Sequence, residues 1–294
     1  MNLNINYDSP ASIKEFLQEH SLCAQKKFGQ NFLIAPNARR ILIDALAAPP
    51  GCAVWEIGPG LGAMTASLLK NGVHLTAFEV DRGFCKLLCE MFYGKKNFTL
   101  IEGDVLKTWK TQQCKAEIIL GNLPYNIAAT VIAGFIEDGF YFKRGVFTLQ
   151  KEVAARICAK AGSKDYSSLS VLCSSMYTVT PLSVFKSAVF YPMPNVDSQA
   201  VLFERRNDVS ASIYPPFFYS LVRTLFANRR KTILNNLCAF INQNNSIVKV
   251  PAATSPKIFA ENVLSTVNIA PNERAENIVL NDFLKIAQCF SAIP

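Results

Sequence analysis

The chain has 294 residues, half of them hydrophobic and 18% charged, which excludes a disordered, collagen-like or low-complexity protein and leaves room for two domains of roughly 100 to 200 residues. Thirty Lys and Arg against 22 Asp and Glu give a net charge of +8, a basic excess that suits a polyanionic partner. No apolar run reaches the roughly 18 residues a membrane helix requires, and MNLNINYDSPASIKEF has no secretory h-region, so a soluble, cytoplasmic protein without a membrane partner is expected.

The first 25 residues are polar and mixed, an arm or short helix ahead of a loop at 26–34. From residue 53, short β-rich runs alternate with amphipathic stretches: AVWEI (53–57), HLTAFEV (74–80), NFTLIEG (97–103), AEIILGN (116–122) and GVFTLQ (145–150). Runs this apolar predict an α/β fold, a mainly parallel sheet with helices on both faces and a ligand site where strand carboxyl ends open into loops. SVLCSSMYTVT (170–180) and VDSQAVLFER (196–205) read as further strands flanking a Pro-broken loop, FYPMPN (190–195). After residue 207 the apolar spacing becomes helical, in PPFFYSLVRTLFANRRKTILNNLCAFI and again after AATSP. Two domains result: 1–206 around the sheet and a small all-helical 207–294. Neither needs a partner to bury a core, and a monomer is expected.

The nine cysteines are scattered through apolar stretches and never spaced C-x-x-C, as expected of reduced thiols. With His20 and His74 the only histidines, neither a metal site nor His-based nucleophilic chemistry is expected.

Between the first strand and a helix expected near Met64 lies Glu56-Ile-Gly58-Pro-Gly60-Leu-Gly62-Ala63, where glycines let the backbone turn sharply and approach a ligand. Alone, this loop fits a dinucleotide as well as S-adenosylmethionine. Glu79, some twenty residues on, ends the second strand where a carboxylate can accept both hydroxyls of a ribose, and Asp104-Val105 follows the third, where an acid can accept from an adenine amine. Carboxylates suit a sulfonium better than a pyrophosphate, and Pro59 removes an N–H a phosphate would want, which tilts the reading towards S-adenosylmethionine.

The fourth strand runs into Asn122-Leu-Pro124-Tyr125. This tetrapeptide resembles the motif of methyltransferases acting on an amine conjugated to a planar system, such as N6 of adenine. Acceptance of the amine's N–H bonds by the Asn122 side-chain oxygen and the Pro124 carbonyl would localise its lone pair towards the methyl donor. Tyr125 would stack on the extruded base, worth roughly 1–3 kcal/mol.

KFGQNFL (27–33), EIGPGLG, NLPYNI, LQKEVAARI (149–157), AGSKDYSSLSV (161–171), FYPMPNVDS (190–198), ANRRKTILNNL (227–237) and RAE (274–276) together resemble the ribosomal RNA adenine N6,N6-dimethyltransferase family. The resemblance implies a Rossmann-like class I methyltransferase fold and dimethylation of two adjacent adenosines near the 3′ end of small-subunit (16S) ribosomal RNA during subunit biogenesis. It also implies cofactor contacts at Gln30, Asn31, Leu33, Gly58, Gly60, Glu79, Asp104, Val105 and Asn122, with Phe190 placed to sandwich the target base against Tyr125. The sister group, macrolide-resistance methyltransferases of large-subunit RNA, shares the glycine loop and is the alternative. Where many relatives have Ser-Thr after NLPYNI, this chain has Ala128-Ala129.

Arg229-Arg230-Lys231, on an expected helix with Arg223 two turns earlier, form a cluster suited to RNA phosphates. Lys26, Lys27, Lys151 and Arg156 would extend a basic rim.

Overall fold

The computed structural model describes residues 5–25, 28–113, 115–124, 127–244, 248, 250 and 254–291. Tyr125, Lys26 and Lys27 lie outside the described residues. Two compact units divide the chain: Met1–Ala154 with Val179–Arg205, and Ala155–Thr178 with Arg206–Pro294.

The first unit opens with α1 (Pro10–Glu19), β1 (Phe32–Leu33) and α2 (Pro36–Leu46). Strand and helix then alternate through β2 (Ala53–Ile57), α3 (Ala63–Lys70), β3 (His74–Glu79), α4 (Arg82–Met91), β4 (Phe98–Glu102), α5 (Val105–Thr108), β5 (Ile118–Asn122), α6 (Ala128–Glu137) and β6 (Arg144–Gln150). After α7 (Lys151–Cys158) and α8 (Ser168–Met176) the chain returns as β7 (Tyr177–Phe185), β8 (Phe190–Tyr191) and β9 (Ser198–Arg205). The main sheet runs β4-β3-β2-β5-β6-β9-β7, its first five strands parallel and β9 antiparallel to β6. Parallel pairing puts the carboxyl ends of β2 to β6 on one edge, in register: Ile57 opposite Phe78 and Gly121, Glu79 opposite Glu102, and Asn122 opposite Thr148.

Alternation along the strands sends two kinds of side chain to the two faces. Val54, Leu75, Leu120, Val146 and Leu202 meet Leu42 and Leu46 of α2 and Leu68 of α3 in an aliphatic layer. Trp55, Phe78, Phe147 and Phe203 join ring networks that include Phe135, Phe140 and Phe142. At roughly 1.5–3 kcal/mol per buried side chain, both faces hold the site's scaffold rigidly. The N-terminal arm also belongs to this unit's core: Ile13, Phe16 and Leu17 of α1 pack with Leu61, Phe84 and Leu87.

The run 170–180 is not a strand. Its first part is α8, started by Ser167, whose N–H donates to Ser170 Oγ at 3.0 Å, and only from Tyr177 does it become β7. A short apolar run satisfies either period, and the serine cap decides for helix.

The second unit packs α8 with α9 (Phe218–Ala227), α10 (Ile233–Gln243), α11 (Pro256–Thr266) and α12 (Leu280–Ser291) around Leu221, Leu225, Leu237, Phe240, Leu264, Phe283 and Ile286. Tyr166 and Val171 are buried in the same cluster, so residues 155–178 cluster with the helices and the expected single boundary after 206 is replaced by three crossings. The expected helix through Arg229-Arg230-Lys231 is interrupted. α9 ends at Ala227, the Lys231 N–H returns to Asn228 O at 2.9 Å, and Thr232 caps α10 by accepting from the Asn235 N–H.

Candidate active site

On the carboxyl edge of the sheet lies a cavity of about 250 Å³. Its wall includes Gln30, Asn31, Leu33, Gly58, Gly60, Glu79, Asp104, Val105, Asn122 and Pro124, bringing together residues as far apart in sequence as the arm and the fourth strand.

The turn after β2 follows from its glycines. Gly58 (φ +72°) and Gly60 (φ +54°) take left-handed conformations, and a Cβ on Gly60 would stand 3.0 Å from the Phe32 ring. That turn aims the Gly60 N–H at Glu79 Oε2, 3.1 Å away, while Oε1 accepts from the Val80 and Asp81 N–H groups at 2.9 Å each. Glu79 is therefore fixed, with lone-pair capacity left on Oε2 for a hydroxyl donor. Burial raises its pKa, the nearby Asp81 charge adds to the rise, and the three N–H bonds oppose it. Gly103 N–H reaches Glu79 O at 2.7 Å, drawing the β4–α5 turn against β3, and Asp104 Oδ1 caps α5 by accepting from the Leu106 N–H at 3.0 Å.

Across the turn, the Asn122 amide Nδ2 donates to Asn31 O at 2.9 Å, which presents Oδ1 as the acceptor of that side chain. Asn31 Nδ2 in turn donates to Gly29 O at 3.0 Å. Gln30 lines the cavity while serving as a brace: its Oε1 accepts from Gln25 N–H at 2.7 Å and its Nε2 donates to Asp81 Oδ2 at 3.2 Å.

Two expectations meet different geometry. The Pro124 carbonyl, expected to accept from a substrate amine, already accepts from the Ile127 and Ala128 N–H groups at 3.1 Å each. No side chain caps α6, so the main chain does. Phe190 does not line the cavity. β8 pairs antiparallel with β1, Leu33 opposite Phe190, and the Phe190 ring packs into the aliphatic core at 3% exposure.

Three wall residues escape a reading of the sequence: Tyr7, Ile13 and Arg39. Ile13, Phe16 and Leu17 have the i, i+3, i+4 spacing of an amphipathic helix, the signal that the arm is structured. Behind the glycine turn, Glu56 is fully buried. Its Oε2 accepts from the Thr65 hydroxyl at 2.6 Å while Oε1 has no hydrogen-bond partner. Burial, and secondarily Glu79, push its pKa up to about 7 against the Thr65 bond.

The eight described cysteines are free thiols, Cys23 and Cys89 exposed, and no group of three or more His, Cys, Asp or Glu among the described residues is placed to hold a metal. No helix among them is long and apolar enough to cross a membrane. Of the residues expected to meet RNA phosphates, Arg230 and Lys231 are exposed, Arg223 lies on the exposed side of α9, and Arg229 is held by Glu276 at 2.8 Å and Lys164 O at 2.7 Å.

The sequence profile described as ribosomal RNA adenine dimethylase matches residues 22–290. Over 287 residues the chain is 44% identical to ribosomal RNA small subunit methyltransferase A of Treponema denticola, covering 96% of this chain and 94% of that protein. A dimethyladenosine transferase from Plasmodium falciparum superposes with a TM-score of 0.75 at 27% identity, covering 87% of this chain and 96% of that one. A 23S rRNA methyltransferase, ErmE, shares the fold at a TM-score of 0.62 and 20% identity, covering 89% of this chain and all of that one.

Proposed function

The chain belongs to the ribosomal RNA adenine dimethylase family, and from that premise we propose that it dimethylates N6 of two adjacent adenosines near the 3′ end of small-subunit (16S) ribosomal RNA, using S-adenosylmethionine. The observation that carries the reading is the oriented Asn122 amide, its Oδ1 presented at the end of β5 in the wall of a cavity also lined by Glu79, at the end of β3, and by Asp104, two residues after β4. A relative named for the small subunit, at 44% identity over nearly the whole chain, favours that substrate over large-subunit RNA.

The donor set fits the cofactor. Glu79 Oε2 would accept from a ribose hydroxyl and Asp104 from the adenine amine, while the Pro59-containing turn would let the backbone come close without offering a pyrophosphate site. Bound there, S-adenosylmethionine supplies a methyl carbon on a sulfonium.

An adenine N6 amine is a poor nucleophile because its lone pair is delocalised into the ring. Asn122 Oδ1, accepting one N–H, favours the pyramidal amine in which that lone pair points at the methyl carbon. Methyl transfer would place positive charge on N6, which the bond to Asn122 Oδ1 would stabilise until the N6 proton left to water. For Pro124 O to add a second acceptor, the first turn of α6 must release the Ile127 or Ala128 N–H. Arg223, Arg230 and Lys231 are proposed phosphate contacts in the helical unit, Arg229 bracing the segment that carries them.

The test is transfer of labelled methyl groups to unmethylated small subunits and, separately, to large subunits, followed by nucleoside analysis. Dimethyladenosine confined to small-subunit RNA is expected; label in large-subunit RNA alone would replace this reading with the alternative one.

A further inference from the structure

The cavity has a charge polarity that the adenosine contacts leave unexplained. Its acids are Asp104, which follows β4, and Glu79, which ends β3, on one side of the glycine turn. On the other side of that turn, among the described residues, the single cation in the wall is Arg39 of α2. α2 packs against β5, β6 and α3, and Arg39 Nη1 donates to Leu33 O at 2.8 Å, which ties the guanidinium to the loop before the sheet.

Arg39 is only 13% exposed. Its Nη2 donates to Asp8, a half-exposed carboxylate on the N-terminal arm, and its guanidinium carbon lies 6.0 Å from the centre of the Tyr7 ring. Tyr7 is itself pinned by its hydroxyl to Leu61 O at 3.0 Å. A guanidinium carries five N–H donors, and these two bonds engage two of them. Desolvating a cation in a ligand cavity is costly, and a partner as solvated as Asp8 offsets little of that cost. An anion arriving inside the cavity offsets much more.

We infer that Arg39 binds the α-carboxylate of the methionine half of the cofactor, a role resting on the S-adenosylmethionine reading above. With the nucleoside held by Glu79 and Asp104, the amino-acid tail would be left to the part of the wall that carries Arg39. The cavity is thus acidic where the ligand presents hydroxyl and amine donors, and basic where it presents a carboxylate. Arg39 touches no reacting atom and acts in binding and positioning.

Titration calorimetry on the full chain with S-adenosylmethionine and with its decarboxylated analogue, which keeps sulfonium and ammonium, tests this. Arg39→Gln is expected to weaken the intact ligand about tenfold, as for loss of a charge-assisted hydrogen bond, while the analogue changes less than twofold. The unaltered protein should prefer the intact ligand by a similar factor. Equal weakening of both ligands, or no change in either, overturns the assignment. Asp8→Asn, which removes the ion pair and keeps the cation, should bind the intact ligand at least as tightly; a loss matching that of Arg39→Gln also overturns it. Failure of the unaltered protein to bind either ligand would instead sink the cofactor reading itself.

Discussion

Asn122 and Asn31, 91 positions apart, meet through one hydrogen bond of 2.9 Å from a side-chain amide to a main-chain carbonyl. That bond decides which end of the Asn122 amide is offered as an acceptor, and it ties the loop before the sheet to the strand that ends in the proposed amine acceptor. The same loop is fixed from its other side by β1–β8 pairing and by the Arg39 bond to Leu33 O.

Asn122→Asp tests the orientation. A carboxylate cannot donate to Asn31 O and would set two acceptors against each other, so its oxygen leaves the productive position. Turnover should fall on the order of 100-fold or more, the usual loss for one preorganised donor or acceptor facing developing charge. Affinity for the cofactor should change far less. Single-turnover methyl transfer beside calorimetry separates the two, and a parallel loss in both would mean that Asn122 only shapes the cavity.

Glu79 holds three main-chain N–H groups, from Gly60, Val80 and Asp81. Glu79→Ala orphans all three near the base of the glycine turn and should cost about 2–4 kcal/mol of stability along with cofactor binding, given roughly 1–3 kcal/mol for each buried unpaired group partly relieved by water. Glu79→Gln keeps one accepting oxygen and should recover most of the stability while binding the cofactor weakly. Denaturant melts and calorimetry on both variants distinguish ribose recognition from turn support.

The buried Glu56 gives a stability that depends on pH. Its ordinary carboxyl value of 4.5 is raised to about 7 in the folded chain, so between these values the folded form keeps a proton that the unfolded chain has released. Stability from this group is complete below the lower value and is lost as pH rises through the upper one, by about 3 kcal/mol in all. Glu56→Gln removes the titration. Its stability relative to the unaltered protein should therefore improve by about that amount between pH 5 and pH 8 in urea melts. A constant difference across that range would show that Glu56 stays ionised inside the fold.

Much of this site is legible in the sequence because its parts recur at strand ends. AVWEI, HLTAFE and IILGN each announce a buried strand by their apolar run, and the residue that follows or ends each strand is then a site residue by position alone. The place of Phe190 is not legible, because aromatic character does not say which way a ring faces; its packing in the aliphatic core does, and the two-residue strand that carries it leaves no periodic trace. The engagement of Pro124 is hidden as well, since a local pattern does not show that Ile127, at the cap of α6 with no polar side chain, leaves the start of the helix to be satisfied by a carbonyl. Arg39 gives no signal of its own: a lone arginine on a helix beginning PNARR reads as solvated until Leu33 O and Tyr7 are placed beside it.

The interruption between α9 and α10 changes what the basic cluster can do. A continuous helix would space Arg229, Arg230 and Lys231 around its circumference, whereas the turn exposes Arg230 and Lys231 and diverts Arg229 to Glu276 and Lys164 O. Arg230→Gln with Lys231→Gln should therefore weaken RNA binding without altering the melting temperature, and should flatten the slope of log K against log salt by about 0.7–0.9 for each phosphate no longer neutralised. Arg229→Gln should do the opposite: little change in slope, with a small loss of stability of about 0.5–1 kcal/mol from a half-exposed ion pair. Filter binding of small-subunit RNA across a salt series, beside thermal melts, reads both. If the double variant keeps the full slope, this turn lies outside the RNA footprint and the phosphates are held by other basic residues of the chain.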